Sequence, residues 1–324
     1  MVTKRFPVAF LALLLMVGTF AVTVALPARA CSEPVSRIVY AQGSGCTASV
    51  WVMNPDGSGA TEVSLPYGQI GGTAWAPGQK QIAFSANDGS GSRIYLINVD
   101  GTGVTQLTDG SVIDRTPAFS TDGTKILFVS ARTGDQELWV MNTDGTSPTQ
   151  LTSFESTVYM AKYSPDGTQI VFASLRDGSL EISVMNADGS NVRRLTDNPG
   201  VDSQPSWSPD GTRIAWSKEI GSARNVWTMN ADGTDPKPLV AAPCTEQGFP
   251  VWSADGSRIS FVVHDGTTGF IKSVSVTDST DSVQLLSVTD GDLFDLDWGP
   301  VGVEFGAESA TTTTAPEAVP VYTC

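Results

Sequence analysis

Acidic residues offer this chain its most abundant chemistry, and they recur beside glycine. Asp56-Gly57, Asp100-Gly101, Asp144-Gly145, Asp188-Gly189 and Asp232-Gly233 each follow an asparagine at the same short distance. Carboxylate, amide and glycine together can build a calcium loop, but that needs further oxygen ligands at set spacing and a late acid. Asn186–Leu195 (NADGSNVRRL) supplies neither, so these pairs read as structural turns and no metal is expected. Nucleophilic chemistry has little to draw on. His264 is the single histidine, in a stretch His264–Gly269 (HDGTTG) that reads as an exposed loop. No G-x-S-x-G elbow occurs in the chain, and that turn is what presents the serine of α/β-hydrolases. Two carboxylates alone can hydrolyse a glycosidic bond, although no pair of acids stands out. No catalytic residue and no cofactor are expected.

The spacing of the turns says more than their chemistry. Asn54, Asn98, Asn142, Asn186 and Asn230 follow one another at intervals of 44 residues. Ile38, Ile82, Ile126, Ile170 and Ile214 keep the same interval, and Ile259 falls one residue late. Trp75, Phe119, Tyr163, Trp207, Trp252 and Trp298 mark a third phase of the repeat. A period in the forties is the size of a propeller blade. One unit parses as Gln204–Ser208, a Pro-Asp-Gly turn, the alternating strand Arg213–Lys218, a looser loop, Asn225–Asn230, the Asp-Gly turn, and a last strand ending at Leu239. Proline presets φ at the second turn position and glycine suits its exit. The expectation is an all-β fold: a six-bladed β-propeller of four-stranded antiparallel blades over 36–300. Arg37–Ala41 lacks a preceding aromatic strand and Phe294–Trp298 lacks a following one. The C-terminal strand is therefore expected to complete the N-terminal blade and close the ring, leaving no open edge.

The pattern P-x-W-S-P-D-G-x-x-I-x-F-x-S, then W-x-M-N-x-D-G and L-T, resembles the TolB-type propeller repeat, most fully at residues 205–230 (PSWSPDGTRIAWSKEIGSARNVWTMN). Ser183 departs from it where Trp51, Tyr95, Trp139 and Trp227 stand, and Asp278 is followed by Ser279 in place of glycine. The resemblance implies the fold and a docking role in the cell envelope. It covers the propeller half only, because the α/β domain that precedes the propeller in TolB is expected to be absent. Prolyl oligopeptidases carry similar propellers, but their catalytic half is a separate hydrolase domain.

Composition sets the compartment and the partners. Formal net charge is −15 with no basic block, which argues against nucleic acid. Lys4 and Arg5 precede an uncharged run from Phe6 to Leu26, then Ala28-Arg29-Ala30. That order reads as a signal peptide over 1–30, followed by a short lead at 31–35 and export to the periplasm, cell surface or medium. Cys31, Cys46, Cys244 and Cys324 are read as disulfide formers, with lipidation as the other use of Cys31. Contact with the membrane is expected through a lipid or an uncleaved signal segment alone. Residues 301–324 form a Thr- and Pro-containing low-complexity tail. The loops opposite the Asp-Gly turns vary freely, as binding loops on a rigid scaffold do. They gather Asp114, Arg115, Glu155, Tyr159, Asp202, Gln204, Glu246, Phe249, Asp292 and Asp295, read as an acidic, partly aromatic docking face. The expected protein is a monomeric, non-catalytic scaffold that binds a protein or glycan partner, basic or polar in character. The alternative is a hydrolase or lyase working in the central pocket.

Overall fold

The computed structural model describes residues 36–299, apart from 44–47, 66, 68, 88, 90, 222, 241–245, 265–267 and 290–291. The signal segment, the 31–35 lead, the 301–324 tail and all four cysteines lie outside those residues. Among the described residues there are strands and turns and no helix. In chain order the strands are β1 (Ile38–Gly43), β2 (Ser49–Met53), β3 (Thr61–Val63), β4 (Gln69–Trp75), β5 (Gln81–Asn87), β6 (Ser92–Asn98), β7 (Thr105–Gln106) and β8 (Asp114–Phe119). Next come β9 (Lys125–Ser130), β10 (Glu137–Asn142), β11 (Thr149–Gln150), β12 (Val158–Tyr163), β13 (Gln169–Ser174), β14 (Glu181–Asn186), β15 (Arg193–Arg194) and β16 (Asp202–Trp207). The last are β17 (Arg213–Ile220), β18 (Ala223–Asn230), β19 (Lys237–Pro238), β20 (Glu246–Trp252), β21 (Arg258–His264), β22 (Gly269–Ser275), β23 (Ser282–Val288) and β24 (Asp292–Trp298).

These strands form an all-β propeller of four-stranded antiparallel blades. Four sheets stand alone, β4 to β7, β8 to β11, β12 to β15, and the set β24-β1-β2-β3. In the last, the C-terminal strand pairs with the N-terminal one from Ile38↔Trp298 to Gly43↔Asp292. The blade count differs from expectation, because β16 to β23 are joined in one eight-stranded sheet. The join is one parallel bridge, Arg224↔Glu246, at the edge where two antiparallel sets meet. Strands β4, β8, β12, β16, β20 and β24 pack against one another in that order, and β24 returns to β4. They are the inner strands, and they surround the axis.

The repeat residues hold the sheets together. Ile38, Ile82, Ile126, Ile170, Ile214 and Ile259 are all 0% exposed. Each apolar cluster draws on neighbouring sheets: Val39 and Val50 meet Ile82 and Phe84, and Val171 and Ile182 meet Trp207 and Trp216. Burial thus lies between blades, which cannot be satisfied by a blade alone.

The Asp-Gly turns are built alike. In the Asn142–Thr146 turn, Gly145 N–H donates to Asn142 O at 2.9 Å, and Thr146 N–H donates to Asp144 Oδ1 at 2.9 Å. The inner Pro-Asp-Gly-type turns use Asp122, Asp166, Asp210 and Asp255 in the same way. These hydrogen bonds favour the charged form, so Asp122 is held down to about 2, first by Ser120 and then by Thr124. The glycine has a second duty. A Cβ at Gly145 would lie 2.7 Å from Leu107 O of the preceding blade, and φ there is +82°. The turn seats directly on its neighbour's backbone, which is why glycine and the Leu-Thr motif recur together.

Gly145→Ala is expected to destabilise the ring more than Gly178→Ala. Both positions have left-handed φ, costing alanine about 1–2 kcal/mol, but Gly178 has nothing within 4 Å. Urea unfolding measures this, and equal losses would contradict the seating of the turn. Stability is also expected to fall as pH drops from near 3.8 toward about 2, since the lowered Asp122 value stabilises the fold only while the group stays ionised. Asp122→Asn should shrink that acid loss in a pH series of thermal melts.

Candidate functional site

The site grows from an irregularity shared by the inner strands. Register shifts occur between Ile70 and Gly72, Arg115 and Ala118, Tyr159 and Lys162, Ser203 and Ser206, and Gly248 and Val251. The β1–β24 ladder carries one as well. Such bulges kink a strand and re-aim its side chains. The residue at the kink is left-handed, with φ of 49° at Thr116, 40° at Met160, 56° at Gln204, 54° at Phe249 and 59° at Asp295. Non-glycine residues rarely take this conformation, and where they do the strain marks a site held by its surroundings. Pro117, Pro205 and Pro250 follow directly, at points where a ladder donor is not required.

All five kinked residues face a small axial cavity of about 40 Å³. Lys162 lines this cavity and also a wider one of about 400 Å³. The wider cavity opens among the inner turns. It is lined by Trp75, Phe119, Tyr163, Trp207, Trp252 and Trp298, the aromatic phase of the repeat. Burial and then Asp122 push the Tyr163 hydroxyl up to about 12, so it remains a neutral donor.

An ionic cluster separates the two cavities. Lys162 Nζ donates to Asp297 Oδ1 at 2.8 Å, with the side chains 29% and 19% exposed. β12 and β24 stand on opposite sides of the ring, so this bond crosses the axis. Trp75 N–H donates to Asp297 Oδ2 at 2.9 Å. Asp295 Oδ2 accepts from the Thr73 backbone N–H and from Thr73 Oγ1. Burial works against the Lys162 ammonium, but Asp297 and then Asp295 outweigh it and hold its pKa above the ordinary lysine value. Burial raises Asp295 above the usual carboxylate range, against the pull of Lys162 and of the Thr73 bonds. Gln204 acts similarly, accepting from Ser217 Oγ at 2.7 Å and Phe249 N–H at 2.9 Å.

The ten residues expected to share a docking face are divided by the structure. Gln204, Phe249 and Asp295 converge on the axial cavity. Glu155, Glu246 and Asp292 are exposed on the loop side. Arg115 lies over the Tyr159 ring at 5.4 Å and bonds to Gln136. Asp114 and Asp202 are 0% exposed, so charge reversal at either would disturb packing. Asp114 pairs with Arg132 at 3.0 Å, and Asp202 accepts from Asn198 Nδ2 at 2.6 Å, with burial raising its pKa. Asp114, Tyr159, Asp202, Glu246 and Asp292 belong to strands and not to loops, because each inner strand continues past its bulge. His264 likewise ends β21, half-buried, and its Nε2–H donates to Leu293 O at 2.9 Å, which corrects the exposed-loop reading. Lys162, Asp297 and Thr73 went unnoticed. Their signal was the position just before, or two before, each periodic aromatic.

Residues 25–162 and 149–294 match the TolB beta propeller domain. The chain belongs to that family. Among solved structures, TolB from Acinetobacter baumannii is similar with a TM-score of 0.72 and 23% identity, over 82% of this chain and 67% of that one. A chain of a nidogen/laminin complex gives 0.66 and 13%, over 82% and 99%. Oligogalacturonate lyase from Vibrio parahaemolyticus gives 0.53 and 14%, over 78% and 74%. At these identities the likeness is one of fold. No curated protein sequence matches the chain.

Lys162→Met in this TolB-family propeller leaves Asp295 and Asp297 without their cation and is expected to lower stability in urea unfolding by less than the roughly 3–5 kcal/mol of a fully buried pair, since the Lys162 and Asp297 side chains are 29% and 19% exposed. Adding Asp297→Asn should recover part of that loss, and a double variant less stable than Lys162→Met would contradict a coupled pair.

Proposed function

We propose that the chain is an exported, non-catalytic propeller of six blades that holds a protein or glycan partner at the cell envelope or outside the cell. The six-blade count rests on the six occurrences of the repeat isoleucine and of the repeat aromatic, and on the slightness of the Arg224↔Glu246 bridge, across which the eight-stranded sheet reads as two blades. Export rests on the basic-then-apolar N-terminus.

One observation carries the binding reading. The charged groups at the axis are already engaged, Lys162 with Asp297 and Asp295 with the Thr73 backbone N–H and hydroxyl. The space beside them is an aromatic-walled mouth of about 400 Å³, within the roughly 300–1,000 Å³ of ligand-binding pockets. Such a mouth suits a protruding partner segment. The nidogen/laminin structure is a protein complex on the same fold, which supports the reading.

A hydrolase or lyase at the axis is the second reading, favoured by Asp295, whose raised pKa in a cavity suits a general acid. Its cavity of about 40 Å³ has room for a few waters at most, so the binding reading is preferred.

The test is cross-linking capture from the native envelope and medium, with Thr121→Arg plus Pro209→Arg at the mouth and Glu246→Lys plus Asp292→Lys on the loop side. Both pairs of positions are exposed, so the fold should persist. A partner lost with the mouth variant and kept with the loop variant is the expected result. Capture unchanged by the mouth variant rejects this placement.

A further inference from the structure

We propose that the loop side of three successive blades is a second docking surface, fitted to a basic amphipathic segment of a partner protein. It is separate from the aromatic mouth. Five large hydrophobic side chains are exposed among the described residues: Val104, Ile113, Leu175, Ile220 and Val283. Three of them share one level of the fold. Ile113 leads into β8, Leu175 follows β13 and Ile220 ends β17. Ladder-end contacts place each there: Ala131 N–H donates to Ile113 O at 3.1 Å, Leu175 N–H donates to Thr157 O at 3.0 Å, and Ile220 pairs with Ala223. The inner strands of these blades, β8, β12 and β16, are consecutive around the axis. Ile113, Leu175 and Ile220, at 46%, 38% and 51% exposed, therefore form an arc. Phe154 joins it, stacked on Phe172 at 5.9 Å with the Arg176 guanidinium over its ring at 5.3 Å.

Charge selects the occupant. The guanidinium groups on this side are half-buried and engaged, Arg132 with Asp114, Arg194 with Asp197 and Arg224 with Glu219. Asp114 is enclosed, but the other partner carboxylates lie further out than the guanidinium groups they meet: Asp197 and Asp177 are 87% and 38% exposed against 24% for Arg194, and Glu219 is 41% against 35% for Arg224. Asp135 and Glu155 are exposed and carry no ion pair among the described residues. An apolar arc with outward carboxylates complements a stripe of leucine-like side chains flanked by lysine or arginine. An anionic membrane carries the wrong sign.

The experiment titrates the full chain with a synthetic Leu/Lys amphipathic peptide and its Leu/Glu counterpart, read by fluorescence anisotropy. The Leu/Lys peptide should bind and weaken with salt, and the Leu/Glu peptide should not bind. Leu175→Ser and Ile220→Ser should each weaken binding by roughly tenfold, the worth of one exposed apolar side chain. Thr121→Arg at the mouth should change nothing here, which keeps this result distinct from a failure of the mouth reading. Absence of binding, equal binding of both peptides, or affinity unchanged in both serine variants overturns the proposal.

Discussion

The ladder between β24 and β1 is the interaction on which the rest depends. Blades bury their faces only against neighbours, so a chain of them ends in two uncovered faces unless its ends meet. Here the meeting is made by hydrogen-bonded pairing from Ile38↔Trp298 to Gly43↔Asp292. Closure also delivers chemistry. Asp295 and Asp297 ride on β24, and they reach the axis opposite Lys162 because that strand is drawn into the N-terminal sheet.

The axis shows how a repetitive frame supports a particular site. The bulges recur around the ring, and their left-handed residues point inward regardless of type: Thr116, Met160, Gln204, Phe249 and Asp295. Varying those side chains changes the lining without changing the frame. Lys162 and Asp297 then link opposite strands while Thr73 ties Asp295 to the adjacent one, and the periodic aromatics serve twice, packing between blades and walling the wider mouth. Frame and lining are thus set by different residues, so the fold alone does not dictate the function.

Much of this was legible in the sequence. The turn aspartates, the buried isoleucines and the completing C-terminal strand all follow from a period of 44 residues that slips by only one or two at its end. The inner strands were read too short, and the cause is physical. A bulge inserts one residue, so the alternation that marks a strand breaks at Gln204 or Thr116 and the preceding residues resemble loop. Asp114 and Asp202 were therefore placed on an accessible face when they lie inside. His264 ends β21, paired with Gly269 of β22, where its ring meets the Leu293 carbonyl of β24, a contact no local pattern announces.

Sequence by itself determined the blade unit, because turn geometry and strand alternation act over a few residues and repeat in register. It also determined the acidity of the chain. The tertiary structure alone decided which side chains meet at the axis. Lys162 and Asp297 are 135 residues apart, and no local rule links them. Their contact depends on how many strands stand between them around a closed ring, and that number is a property of the assembled propeller.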